Sequence, residues 1–336
     1  MRVVSLLPSA TETLCLVGGQ DLLVGRSHEC DFPAGLEGVP ALTAQKTAYD
    51  PGSGEGSAGV DAAAIDAQVR EHLGSGDPEA SLYTLDVERL SQLAPDLILT
   101  QDLCDVCSIA LPEVVRAART ISERTGREPE VIALNPTTVE GVLDHALRIG
   151  AAVGLADRAK HEVVRLQARL VSAQEYVNEY DEGPVVGFLE WTDPLYIAGH
   201  WTVQLIERAG GRHPLNPTVA GENDGAAAGL QQSSRTAGKS VAVPADIFAR
   251  TSPGVLIVAP CGLTLDQSLA EAQRLAREPW FADLPAARAG RVAAVDGSAM
   301  FNRPGPRLVE AFEFLVGFLN DRPGVIPDGF PWVRIG

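Results

Sequence analysis

Apolar residues recur along this chain in two rhythms, and the alternation between them sketches the fold. Short β-branched runs, each followed by apolar positions three and four apart, predict strands alternating with helices. "RVVSLL" (2–7) reads as the first strand. Ser9 and Glu12 stand in capping-box spacing, which predicts a helix starting near Ala10 and ended by Gly18-Gly19. "LLVGRS" (22–27) is a second strand. Residues 43–81 are rich in Gly, Ser, Ala and Asp, a mostly exposed excursion around one short helical piece, 63–73. Asp86 caps a helix that Pro95 stops, "DLILT" (96–100) is the third strand, and residues 112–120 are helical. "EVIALN" (130–135) is the fourth strand, and Thr137-x-x-Glu140 is a second capping box.

The rhythm then changes. Residues 157–180 hold no Gly or Pro, and Val163, Leu166, Leu170, Ala173 and Val177 mark one helical face. A helix of that length spans roughly 36 Å, long for a crossover and suited to a rigid connector. Strands at 185–190, 254–259 and 291–295 then alternate with helices at 200–211, 244–251, 265–276 and 303–319, while 191–199 and 221–239 read as loops. The expected fold class is α/β, with two Rossmann-like lobes of parallel sheet joined by one long helix. The expected boundaries are 1–154, 155–181 and 182–336.

Composition narrows the function. The chain has 336 residues with 27 Lys+Arg and 44 Asp+Glu, a formal charge of −17. That balance argues against a nucleic-acid or anionic-membrane partner, both of which need a basic face. No stretch of eighteen apolar residues exists, so membrane insertion is not expected. The apolar run near the start breaks at Pro8 and no small-residue cleavage site follows it, which leads to an expectation of a cytoplasmic protein. Five cysteines in so long a chain are not a disulfide framework. No Gly-x-Gly-x-x-Gly follows the first strand, and there is no Walker loop and no nucleophile elbow.

In an open parallel sheet, ligands bind at the carboxyl ends of the strands. His28, Cys30 and Asp31 follow the second strand, and Gln101, Cys104, Asp105 and Cys107 follow the third. Glu190, Trp191 and Asp193 follow the strand at 185–190, with His200 and Trp201 beyond them. Cys261 follows 254–259, and Asp296, Phe301 and Arg303 follow 291–295. Four of the five cysteines thus fall at strand ends, while Cys15 lies inside an amphipathic helix and reads as an inert thiol. Cys30, Cys104, Cys107 and Cys261 together are a candidate metal set, for zinc or an iron–sulfur cluster. Packing of each thiol as a small apolar group is the alternative.

"VVSLLPSATETLCLVGGQDLLVG", "VERLSQLAPDLILT" and "GVLIVAP" are similar to the helical-backbone (class III) ABC-transporter substrate-binding proteins. "HECDFP", "TQDLCDVC", "LNP", "EWTDPLYIAGHW", "APCG" and "DGSAMFNRPGPR" resemble a signal-less, cobalamin-binding-protein-like branch of that superfamily. The resemblance implies a non-enzymatic binding protein with a corrinoid in a cleft between two lobes. It implies an ABC permease as partner only if the chain is exported. Trp191, Trp201 and Phe301 would then pack on the macrocycle. Gln101, Glu190, Asp296 and Arg303 would hydrogen-bond its amides, with Asp105 and Asp193 on the same walls. His28, His200 or a thiolate would approach the cobalt. A Cys-ligated metal protein with a redox or cofactor-processing role is the second reading, and a receptor for haem or a siderophore the third.

Overall fold

The computed structural model describes residues 1–46, 61–73, 81–102, 109–178, 180, 182–221, 229 and 234–335. The chain divides into two compact units. The first gathers Met1–Asp50, Ala67–Pro136 and Gly141–Arg165; the second gathers Pro51–Asp66, Thr137–Glu140 and Leu166–Gly336.

In the first unit β1 (Val3–Ser5), α1 (Pro8–Leu16), β2 (Leu23–Arg26), β3 (Thr43–Gln45), α2 (Ala62–Leu73), β4 (Tyr83–Leu85), α3 (Val87–Leu93), β5 (Leu97–Thr100), α4 (Leu111–Thr125), β6 (Glu130–Ala133) and α5 (Val139–Ala152) follow in order, α2 and α5 each having their first residues in the second unit. Four of the strands make a parallel sheet in the order β2-β1-β5-β6. Its central strands are sealed on both faces, which is why they read as unbroken aliphatic runs. Val4, Leu6, Ile98 and Leu90 join Val114, Ala117 and Ile121 of α4 in one core. The expected excursion is anchored at its base by an antiparallel pair, β3 with β4.

Helix ends show where local spacing decided and where packing did. Asp86 accepts from the amide of Arg89 at 2.9 Å, the expected cap of α3. The Ser9/Glu12 box does not form: α1 begins at Pro8, two residues early, with Leu7 as an uncapped N-cap. Proline's fixed φ suits the first helical residue, and this places Ser9 inside the helix. The Thr137/Glu140 box is also replaced. Gln204 accepts from the amide of Val139 at 2.9 Å and donates to Glu140 Oε2 at 3.1 Å, and Arg208 donates to Glu140 Oε1 at 2.8 Å.

The connecting helix is α6 (Ala156–Gln174), and the partition between units falls within it. Val163, Leu166, Leu170 and Ala173 are all buried, while Val164 and Val171 on the other face are 63% and 64% exposed. The face is the expected one; the length is not. At 1.5 Å per residue it spans about 28 Å. Three-residue turns at Tyr176 and Val177 end it early, and Gln174 is drawn onto the carbonyl of Arg208 at 2.8 Å.

The second unit contains β7 (Val186–Thr192), β8 (Leu195–Ile197), α7 (His200–Arg208), β9 (Val241–Ala242), α8 (Ala245–Arg250), β10 (Val255–Val258), α9 (Leu265–Leu275), α10 (Pro285–Arg288), β11 (Val292–Val295), α11 (Leu308–Leu319) and β12 (Trp332–Ile335). Its sheet runs β12-β11-β10-β7-β8-β9. The three middle strands are parallel, as expected, but β12, β8 and β9 pair antiparallel. Residues 191–199, expected as a loop, supply the end of β7 and all of β8. Phe314 of α11 stacks on Phe330 at 4.7 Å and meets Trp332 at 5.2 Å, which fastens the last strand to the core.

Two outcomes follow. Arg169 of α6 grips Glu313 of α11 through two bonds, 2.9 and 2.5 Å, with both side chains mostly buried. Arg169→Met strands that carboxylate and should lower unfolding stability by about 1–3 kcal/mol, read as a drop in the urea midpoint. His145 is 6% exposed, and burial, aided by Arg148, pulls its pKa from 6.5 to about 4. The neutral ring is the stabilised form, so its contribution is whole above pH 6.5 and is lost as pH falls from 6.5 toward 4. A stability decline on the order of 3 kcal/mol across that window, flattened in His145→Leu, is expected in urea titrations.

Candidate functional site

In the second unit the carboxyl ends of β7, β10 and β11 carry the residues singled out from sequence. Glu190, near the end of β7, is built into the backbone around it. Its carboxylate accepts from the amide of Gly199 at 3.3 Å and from the hydroxyl of Ser240, and its carbonyl accepts from the amide of Cys261 at 2.9 Å. Cys261 itself is exposed. Gly199 allows a close approach here: a Cβ on it would stand 2.2 Å from the nitrogen of Ser240 and 2.5 Å from the carbonyl carbon of Lys239. Asn216 staples the same crossing, donating to the carbonyls of Ala198 and Lys239 at 2.9 and 3.0 Å.

His200 follows as the first residue of α7, with φ +48°. Its ring lies on Trp201, centroids 5.7 Å apart and planes 21° apart. Its Nδ1 is buried and has no hydrogen-bond partner among the described residues. Burial, and secondarily the charge of Lys239, lowers its pKa and favours the neutral ring.

Three aromatic residues expected to face a ligand have other work. Trp201 is 8% exposed and donates to the carbonyl of Phe301 at 2.6 Å. Phe301 is wholly buried, packed edge-on against Phe188 at 4.9 Å, and offers no face to a ligand. The half-buried Trp191 donates to the carbonyls of Ala62 and Asp193, at 3.2 and 3.1 Å. Its indole thus ties the β7–β8 turn, where Asp193 is exposed, to the start of α2. Asp296 also serves a loop, accepting from the amides of Ser298 and Ala299 and from the Ser298 hydroxyl at 2.8–3.0 Å. Arg303 is half-buried in the same loop.

Sequence reasoning missed three supports of this edge. Asn302 donates to the carbonyls of Ala259 and Gly297, joining the loops after β10 and β11. Buried Glu271 of α9 takes the hydroxyl of Thr192, while Arg274 bonds both Glu271 and the carbonyl of Thr192. Buried Glu207 of α7 receives both the amide and the hydroxyl of Thr218, and Arg235 donates to the same threonine. For Glu271 and Glu207 the sequence signal was an ionisable residue at a helical position that the amphipathic pattern assigns to the core, while Asn302, an uncharged loop residue, gave none.

In the first unit His28 stands just beyond β2. Its amide donates to Thr43 Oγ1 at 3.0 Å, and its Nδ1 lies 2.7 Å from the same oxygen. Ser27 Oγ is 3.0 Å from Thr43 Oγ1, and the Tyr83 ring tilts against the imidazole at 5.4 Å. Tyr83 in turn donates to Glu29 at 3.0 Å. Gln101 is buried at the end of β5, and Asp31 is exposed.

The cysteine expectation changes. Cys104, Asp105 and Cys107 lie outside the described residues. Cys30 is 3% exposed, with its sulfur 3.0 Å from Thr11 Oγ1 of α1. Thr11 and Cys15 share one face of that helix at i and i+4, so Cys30 sits beside the very thiol expected to be inert. Burial, then the neighbouring Cys30, pushes Cys15 up to about 11. Among the described residues no three His, Cys, Asp or Glu side chains gather as a metal site. Among the described residues, then, Cys30 meets Thr11 and Cys261 is exposed; the expected four-thiol set falls partly outside them.

Comparison with known proteins agrees with this architecture. Residues 3–299 match the family described as periplasmic binding protein. A periplasmic haem-binding protein from Pseudomonas aeruginosa superposes with a TM-score of 0.61 at 18% identity, over 95% of this chain and 92% of its own. The haem-binding protein RhuT from Roseiflexus sp. RS-1 gives 0.63 at 19% identity, over 96% and 98%. The vitamin B12-binding protein BtuF of Vibrio cholerae gives 0.61 at 16% identity, over 96% and 97%. Comparison with curated protein sequences found no match. The family and these relatives are described as periplasmic, which runs against the expected cytoplasmic location. With nearly all of its length matched, the chain belongs to the periplasmic binding protein family.

Proposed function

We propose that this chain is a non-enzymatic binding protein for a metal-centred tetrapyrrole, a corrinoid before a haem, and that it hands this cargo to an ABC permease outside the cytoplasm. The observation that carries the reading is the family match over residues 3–299, together with relatives whose names specify haem and vitamin B12. Charge favours the corrinoid. A haem carries two propionates and a ferric siderophore complex is often anionic, whereas a corrinoid is rimmed by neutral amides. A chain of net charge −17 repels the first two and is indifferent to the third.

The residues at the strand ends suit an amide rim. In the second unit Glu190, Asp193, His200, Asp296 and Arg303 offer both donors and acceptors; in the first, Gln101 and Asp105 are kept from the sequence reading. Trp201 and Phe301 act from behind, by holding the loops in shape.

Isothermal titration with aquacobalamin and with diaquacobinamide, repeated with haemin and a ferric siderophore as competitors, tests the reading. Saturable one-to-one binding of a corrinoid, with weaker competition from the anionic chelates, is expected. Tighter binding of haemin or the siderophore moves the assignment to that chelate, and no binding of any of them overturns it. Gly199→Ala should lower affinity by at least about tenfold, since the Lys239–Ser240 backbone must retreat and take Glu190 and His200 with it. Gly38→Ala, where a Cβ meets nothing within 4 Å, should leave affinity unchanged in the same titration.

A further inference from the structure

The first turn of α1 carries donors that no other group of the protein takes. A helix leaves its leading amides without intrahelical acceptors, and a capping side chain normally meets them. α1 has no such cap: Leu7 stands at its N-cap, and Pro8 brings no N–H. The first amide with a helical acceptor is that of Thr11, which donates to the carbonyl of Leu7 at 3.3 Å. The amides of Ser9 and Ala10 have no acceptor among the described residues. Neither does the Ser9 hydroxyl have a partner among them, although Ser9 is only 5% exposed.

Gln101 is in the same position. It is 7% exposed, and its carboxamide has no partner among the described residues. Neither polar tip is sealed in, so what remains exposed of Ser9 and Gln101 includes the hydroxyl and the carboxamide. Strand register brings the two residues together. Ser5 pairs with Leu99, and the amide of Leu6 donates to the carbonyl of Leu99 at 2.9 Å, so Gln101 stands level with Leu7 where the chain enters α1. Ile98 belongs to the core with α4, so Leu97, Leu99 and Gln101 lie on the opposite face. Ala10 and Leu14 are buried and take no part in that core, which puts α1 on the face of Gln101.

We propose that Ser9 and Gln101 form a carboxamide-binding subsite in the first unit, at the start of α1. The carbonyl oxygen of a cargo carboxamide accepts from Ser9 and from Gln101 Nε2, while its NH2 donates to Gln101 Oε1. The proposal rests on the corrinoid reading above and adds a selectivity to it, carboxamide over carboxylate.

Charge decides between those two groups. The positive end of a single helix attracts an anion only weakly. Glu12 lies three residues further along α1 than Ser9, and Asp102 directly follows Gln101, so two acidic side chains oppose that attraction. Arg26, level with Ser5 on β2, spends Nε and Nη1 on the carbonyls of Leu36, Val39, Ser27 and Cys30. A neutral group that both accepts and donates matches what is left. Both walls of the subsite are fixed in advance. The Leu7 carbonyl accepts from the hydroxyls of Ser5 and Thr11, at 3.0 and 3.3 Å. On β5 the Thr100 carbonyl accepts from the amide of Leu134 at 2.9 Å, and the Asp102 amide donates to Asn135 Oδ1 at 2.8 Å. The backbone on either side of Gln101 is thereby pinned, which lowers the ordering cost of binding.

Diaquacobinamide, rimmed by carboxamides, and cobyrinic acid, the same ring rimmed by carboxylates, are the probes, titrated by calorimetry into the whole protein. The unaltered protein should bind diaquacobinamide at least about tenfold more tightly. Ser9→Ala and Gln101→Leu should each weaken diaquacobinamide by about 3- to 10-fold, and narrow the ratio between the probes by a similar factor. In protein carrying isotope-labelled serine, the Ser9 amide proton resonance should move downfield with diaquacobinamide as it gains an acceptor. A Ser9 amide that stays in place, diaquacobinamide binding that both variants leave unchanged, or an equal loss of both probes in folded variants overturns the subsite and leaves the corrinoid reading standing. So does tighter binding of cobyrinic acid. Binding of neither probe overturns the subsite together with the reading it rests on.

Discussion

Loop backbones at the carboxyl ends of the buried parallel strands of each unit must find hydrogen-bond partners, and much of this molecule is organised around that requirement. Strands such as β5, β10 and β11 are sealed on every face, so their connections turn over at the edge with amides and carbonyls to satisfy. The chain answers with side chains. Asp296 takes two loop amides, Asn302 bridges two loops, Trp201 and Trp191 donate to carbonyls, and Glu190 caps the turn into α7. Where side chains do not serve, glycine lets backbone meet backbone, as at Gly199 against Lys239–Ser240 and Gly297 against Pro260. The edge is thereby stiff before any cargo arrives, and stiffness lowers the ordering cost of binding.

The same requirement explains what was legible in the sequence. Elements whose periodicity expresses burial were readable: the five apolar positions along residues 163–177 are all buried, and the parallel strands appear as aliphatic runs. Asp86 was readable because its cap uses the third amide beyond it. The Ser9/Glu12 and Thr137/Glu140 boxes misled because one competitor was local and the other distant. Pro8 takes the first helical position in one case, and Gln204, 65 residues away, serves the helix in the other. The antiparallel edges also escaped notice, since β8 and β12 gain their order from pairing with a neighbour and from aromatic stacking.

At the strand ends, residue type did not tell which side chains hold loops in shape. Rare polar and aromatic residues after strands are ambiguous by type: an aspartate that holds a loop and one that meets a ligand look alike. Cys30 shows this most sharply. Its position after a strand suggested a ligand set, yet its contact is with Thr11, and Cys15 shares that face of α1. No spacing rule between residues 11, 15 and 30 announces that meeting; it arises because β1 and β2 pair in parallel and bring the loop after β2 onto α1.

Once the loop-holding residues are set aside, the chemistry left at the edges is polar and not aromatic. Phe301 and Trp201 are turned inward, so these two rings serve the core and not the surface of the edge. What is left there is directed bonding, and directed bonds need oriented groups. His28 is oriented by Thr43 and Tyr83, whereas His200 is held by its backbone strain and by Trp201 with its inner nitrogen unmatched. Two histidines that look equivalent in sequence are thus made unlike by one hydroxyl. Thr43 belongs to the segment that composition marked as an exposed excursion, and it was invisible there because its partner is fixed by the β3–β4 pair and not by anything in its neighbourhood along the chain.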